Sequence, residues 1–263
     1  MQKMWLINYF VFLCCGLTVT ACGGGTGSVP VSPVVNRPIT YPMSELRILV
    51  IGQSIASNCN EHVYTAVDNV FQISKDGSIK AASDPFEWAD CKQGSIWIPL
   101  GKKIIEAGLA RKVTFMPIGV SGSKVEDWQE GGPAFGKLNS AIGLIQAQGI
   151  NFDLAFWHQG SSNAGMDRAS YMGRLGSVID YVNSKVKINR WLIAAHSRCW
   201  GVYDQNIESA QLTIGNAPDL NRFLGPNNNL LGDEYRTDTC HLNEKGQEKM
   251  ASMWVESVRS VIR

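Results

Sequence analysis

Asp238 and His241 stand three positions apart in Thr237-Asp238-Thr239-Cys240-His241, a carboxylate and an imidazole within reach of each other on one short loop. Such a pair is most of a hydrolytic triad: the imidazole takes a proton from a nucleophile, and the carboxylate orients the ring and balances the charge it gains. The nucleophile has to come from elsewhere. An apolar run, Leu46-Arg47-Ile48-Leu49-Val50-Ile51, stops at Gly52-Gln53-Ser54 and puts Ser54 at the carboxyl end of an expected first strand, where open α/β sheets place their active sites. The expected roles are therefore Ser54 as nucleophile, His241 as general base and then acid, and Asp238 as the group that orients His241. An oxyanion needs donors as well. The backbone N–H of Ser54 is one candidate and that of Gly122, in Gly119-Val120-Ser121-Gly122-Ser123, is a second; a side-chain amide in His158-Gln159-Gly160-Ser161-Ser162-Asn163 would be the third, Gln159 ahead of Asn163.

These residues need a scaffold that brings strand ends together. Short, nearly continuous apolar runs at 46–52, 113–119, 153–158 and 191–196 read as strands buried on both faces, and stretches at 96–109, 137–148, 167–185, 204–214 and 244–262 carry apolar residues at helical spacing. The alternation predicts a three-layer α/β/α sandwich around a central parallel sheet. Between the first two strands lies a long excursion, Asn58 to Gly94, with an expected hairpin at Lys75-Asp76-Gly77. Insertions after a nucleophile often wall the cleft, which would place Trp88 near the substrate; a purely structural flap is the alternative. Trp128 is a candidate sugar-stacking ring or a packed aromatic, Asp127 reads as a loop anchor, and His62, His158 and His196 read as structural or cleft-lining.

Composition bounds the rest. The chain of 263 residues is 44% hydrophobic and 18% charged, material for one domain with an ample core. Net charge is +1, and Lys3 is the one charged residue of the leader, so the remainder carries 23 basic against 23 acidic side chains and no basic field for nucleic acid. Residues 1–21 read as an export signal, apolar from Met4 to Val19, and Val19-Thr20-Ala21-Cys22 reads as a bacterial lipobox with Cys22 as the lipidated residue. Residues 22–44 then form a flexible Gly-, Ser- and Pro-rich linker and 45–263 the folded domain. The expectation is an exported lipoprotein of the cell envelope, at the outer membrane or in the periplasm, held to the membrane through Cys22. Cys59, Cys91, Cys199 and Cys240 would then form two disulfides; of three connectivities, neighbouring position favours Cys59 with Cys91 and Cys199 with Cys240. Neither Cys-x-x-Cys nor His-x-x-x-His is present, so no metal and no cofactor are expected.

Four blocks in order carry a more specific likeness: Gly52-Gln53-Ser54, Gly122, His158-Gln159-Gly160 and Asp238-x-x-His241. With them the chain resembles the SGNH (GDSL-type) hydrolase superfamily, in the branch of sialate O-acetylesterases and related carbohydrate acetylesterases, over most of residues 45–262. The resemblance implies the flavodoxin-like α/β/α fold of those hydrolases, no metal, and hydrolysis of short acyl esters, often acetyl groups on sugars, so that the partner would be an acylated carbohydrate. Four positions depart from the pattern. Ile55 follows the serine where relatives often have Asn, Ala56 stands where a nucleophile elbow has its second glycine, Ser161 replaces the Glu of the third block, and Asn163 follows where an acid often sits. Competing readings are a lipid-directed esterase or thioesterase, and a catalytically weak carbohydrate-binding envelope protein that kept the fold.

Overall fold

The computed structural model describes residues 41–262. The leader, Cys22 and the linker as far as residue 40 lie outside the described residues, and the readings of them stay expectations. In chain order the elements are β1 (Leu46–Gly52), β2 (Val70–Ile73), β3 (Ile79–Ala81), α1 (Trp97–Glu106), β4 (Val113–Gly119), α2 (Phe135–Ala147), β5 (Phe152–His158), α3 (Arg168–Lys185), β6 (Ile188–Ala195), α4 (Gln205–Gly215), β7 (Arg222–Asn227) and α5 (Glu244–Val261). One seven-stranded sheet runs β3-β2-β4-β1-β5-β6-β7, parallel throughout except for β3 against β2. The segment β4-β1-β5-β6-β7 has the flavodoxin-like order, in which the chain leaves β1 first to one side and later to the other; the crevice of such a sheet opens beyond the carboxyl ends of the strands at that reversal. Gly52 is in register with Gly119 on one side and His158 on the other, so three of the four sequence blocks meet there.

The period of two along β1 builds the three layers. Ile48 and Val50 face one core with Trp97 of α1, Phe156 and Trp254 of α5, where the Phe156 and Trp254 rings stack at 4.1 Å. Leu49 and Ile51 face the other, with Met116, Trp157, Leu138 of α2, Leu175 of α3 and Ile207 of α4. Helix bounds fall within a few residues of the expected ones. The first helix is the shorter, because Gly108 takes a left-handed conformation and closes it, with Gly108 N–H bonded to Ile105 O and Leu109 N–H to Ile104 O.

Three strands were not anticipated in the sheet. The expected hairpin forms as β2 and β3, but β2 also pairs in parallel with β4 and extends the sheet. The edge strand β7 carries Gly225-Pro226 and half-buried residues, so its sequence lacks the apolar run that marks the others. The excursion then folds back along the nucleophile segment. Cys91 N–H bonds to Ser57 O, Gln93 N–H to Asn58 O, and Asn60 and Gly94 exchange both bonds, while a disulfide joins Cys59 to Cys91. Trp88 does not reach the cleft. It is buried among Leu49, Ile73 and Met116, where a large ring loses more water contact than it would at an open rim.

Candidate active site

Glycine at 52 is what lets β1 and β5 end side by side, since a Cβ there would lie 2.3 Å from the His158 carbonyl oxygen. Gln53 N–H bonds to that oxygen, and Ser54 opens a single 3-10 turn, Ser54–Ala56. Ser54 is 4% exposed and lines a cleft of about 200 Å³ together with Gln53, Ser121, Gly122, Ser161 and His241. As the first residue of its turn, Ser54 has an N–H without a partner among the described residues. Gly122 adopts φ +71° with an N–H equally unpartnered among them. The Gly122 loop is braced from the excursion: Asp90 accepts from Ser121 N–H at 3.2 Å and from Lys137 Nζ, which also donates to Gly119 O.

His241 reaches the same cleft from the loop before α5. Its Nδ1 lies 2.7 Å from Asp238 Oδ2, and Asp238 Oδ1 accepts the N–H groups of His241 (2.7 Å) and Cys240 (3.0 Å). Burial pushes the Asp238 carboxyl up, but the three bonds from His241 and Cys240 outweigh it and hold the group below the ordinary carboxylate range. Turning this tightly puts Thr239 at φ +63°, strained backbone for a β-branched residue. Two constraints hold it there. A disulfide ties Cys240 to Cys199, and the buried Arg236 donates to Cys240 O and to Leu231 O.

Neither amide expected as a third donor is presented to the cleft. Gln159 is fully buried and its Nε2 faces Asn163 Oδ1 (2.7 Å), Ser123 O (3.0 Å) and Gln53 Oε1 (3.3 Å). Asn163 gives its own amide to Glu126 at 2.8 Å and Met166, and its Oδ1 accepts from Val125 N–H. Both brace the Ser123–Trp128 loop against the end of β5. Ser161 does line the cleft, with its Oγ 2.8 Å from Gln53 Nε2 and 3.1 Å from His196 Nε2. His196 and His158 are fully buried and held neutral: desolvation lowers both, His158 to about 3, with the Arg236 charge adding to each. His62 lies apart, beside Tyr64 and Glu244. Asp127 is a loop anchor, accepting from Lys124 N–H at 2.8 Å.

The aromatic ring at the cleft is Trp200 rather than Trp128. Trp128 is 1% exposed, packs edge-on against Trp157 and bonds Ser123 Oγ. Trp200 is 68% exposed, and its ring lies edge-on to His241 with centroids 6.2 Å apart. It sits in a two-residue turn in which Cys199 and Val202 exchange both backbone bonds, and Trp200 and Gly201 both have positive φ. Sequence pattern gave no signal for it beyond an aromatic next to a cysteine. Among the described residues no group of His, Cys, Asp and Glu could hold a metal ion.

No curated protein matches the chain. Solved structures do: a protein from Arabidopsis thaliana (14% identity, TM-score 0.62, covering 84% of this chain and 100% of that one) and a carbohydrate acetylesterase from Xanthomonas citri (15%, 0.59, 82% and 56%). At such identities the likeness is one of fold. The sequence profile of the carbohydrate esterase, sialic acid-specific acetylesterase family matches residues 50–260, so the chain belongs to that family and is a carboxylic ester hydrolase with the α/β/α fold of the GDSL-type enzymes.

Proposed function

We propose that the protein is a serine esterase that removes acetyl or similarly short acyl groups from a carbohydrate. Ser54 Oγ attacks the acyl carbon while His241 Nε2 takes its proton; the tetrahedral oxyanion is received by the N–H groups of Ser54 and Gly122. Collapse expels the sugar oxygen, which takes the proton from His241. Water then repeats the sequence on the acyl-enzyme and releases the acid. The observation that carries this reading is the convergence on one cleft of Ser54, two N–H groups without a partner among the described residues, and an imidazole anchored at 2.7 Å by Asp238.

A short acyl group is supported by size, since about 200 Å³ falls below the roughly 300–1,000 Å³ of sites for larger ligands. Family membership supports a carbohydrate acetyl ester. Trp200 and Val202 give the rim an apolar side, which suits the face of a sugar ring and also the acyl chain of a lipid-directed enzyme. The deciding experiment compares acetate release from a panel of acetylated sugars, sialic acids included, with cleavage of p-nitrophenyl esters of rising chain length, each with Ser54→Ala as control. Faster turnover of long-chain esters than of any acetylated sugar would overturn the carbohydrate assignment, and full activity in Ser54→Ala would overturn the nucleophile. Export and lipidation at Cys22 are part of the same proposal; two disulfides support an oxidising compartment.

A further inference from the structure

We propose that the Ser161 hydroxyl is the third donor to the acyl oxygen, its hydrogen aimed into the cleft by two N–H groups fixed behind it. The proposal rests on Ser54 being the nucleophile. It follows from a chain of hydrogen bonds in which each partner leaves the next no choice.

On one side stands Gln53. Its Oε1 accepts from Gly160 N–H (2.9 Å), Gln159 Nε2 (3.3 Å) and Ser162 N–H (3.4 Å), so its Nε2 is the end that faces Ser161 Oγ and donates to it. On the other side the chain starts at Arg236, whose guanidinium has donors alone. It donates to Asn228 O at 2.9 Å and faces Asn228 Oδ1 at 3.5 Å, which turns the Asn228 Nδ2 toward His196 Nδ1, 2.5 Å away. A ring nitrogen that receives an N–H carries its lone pair there. The proton of neutral His196 is then on Nε2 and is donated to Ser161 Oγ, 3.1 Å away. Burial, together with the neighbouring His158 and Arg236, keeps a second proton off the ring.

Ser161 Oγ thus accepts two hydrogen bonds, as many as a hydroxyl oxygen takes, and its hydrogen has no acceptor among the described residues. Ser161 shares the cleft wall with Ser54 and Gly122. A hydroxyl whose rotation is settled before substrate arrives needs no reorganisation when charge develops on the acyl oxygen, which is the condition for strong transition-state stabilisation. The hydroxyl thereby does what Gln159 and Asn163, engaged elsewhere, do not.

The test measures p-nitrophenyl acetate hydrolysis by Ser161→Ala, Ser161→Thr and Ser54→Ala, and locates the His196 proton in the unaltered protein by nitrogen-15 NMR. Ser161→Ala should lower kcat on the order of 10²-fold with KM little changed, Ser161→Thr should restore most of it, and the ring proton should be on Nε2. A wild-type kcat in Ser161→Ala while Ser54→Ala is inactive overturns the Ser161 assignment and leaves the nucleophile standing. Full turnover in Ser54→Ala overturns the site reading beneath it. Should Ser161→Ala not fold, the ring decides alone: a proton on Nδ1 makes the Nε2 lone pair the acceptor of the Ser161 hydrogen and ends the proposal.

Discussion

An imidazole serves as a directed base when its far nitrogen is held, and at His241 the holding group is only three residues away. Asp238 meets the ring with one oxygen and the loop's own N–H groups with the other, so it both orients His241 and shapes the turn that carries it. Asp238→Asn should therefore keep much of the fold yet lower kcat by several orders of magnitude, because an amide nitrogen facing Nδ1 would impose the wrong tautomer; steady-state kinetics beside circular dichroism check this. His158 offers a test of a different kind. Its folded-state pKa is about 3, against 6.5 for the free side chain. Below pH 6.5 the unfolded chain binds a proton that the folded one refuses until about pH 3, so stability is lost as pH falls through that window, by up to about 1.4 kcal/mol per unit for such a group. Replacing His158, which has no hydrogen-bond partner among the described residues and packs edge-on to Trp254, by Phe should flatten the fall of Tm between pH 6.5 and 4. An unchanged slope would mean that His158 is solvated.

The two disulfides clamp different elements, and their removal should separate stability from turnover. Cys199–Cys240 closes 41 residues and joins the turn that presents Trp200 to the loop that presents His241; Cys59–Cys91 closes 32 and fastens the excursion. Chain entropy assigns each about 4 kcal/mol as a ceiling. Cys199→Ser with Cys240→Ser should lower Tm and kcat together, whereas Cys59→Ser with Cys91→Ser should lower Tm with the smaller effect on kcat. Equal kinetic losses in the two pairs would count against the clamp on His241. The turn Cys199–Val202 has its own readout. Trp200→Ala should raise KM for an acetylated sugar several-fold while leaving p-nitrophenyl acetate nearly unaffected, since stacking on a sugar face adds about a kcal/mol that a small aryl ester need not use. The strands and helices around these turns were legible from periodicity because each buries its own residues at a fixed repeat. The hairpin of β2 and β3 was legible from its turn, but its parallel pairing with β4 and the half-exposed edge strand β7 were not, since both owe their place to the neighbour they pair with.

The location of the whole chain is open to test. If Cys22 carries lipid, a fatty-acid probe labels the unaltered protein, and Cys22→Ser loses both the label and its membrane association; identical fractionation of both forms would remove the anchor. Within the folded part, the division between what the residues announced and what the fold settled follows from the range of the forces involved. Residue types with chemistry at strand ends, the Asp-x-x-His spacing, the cysteine neighbours and the strand–helix alternation are local patterns, and local patterns survive in one dimension. Which polar side chain faces the cleft is not local. Gln159 and Asn163 read as donors until Ser123, Glu126 and Gln53 are seen to take their amides, Trp88 reads equally as cleft wall or structural flap until the sheet face buries it, and Ser161 reads as a lost Glu until Gln53 and His196 close on its oxygen. A buried polar group must find its partners wherever the chain brings them, and Gln53 reaches Ser161 across 108 residues of sequence, a contact made only once the sheet is assembled.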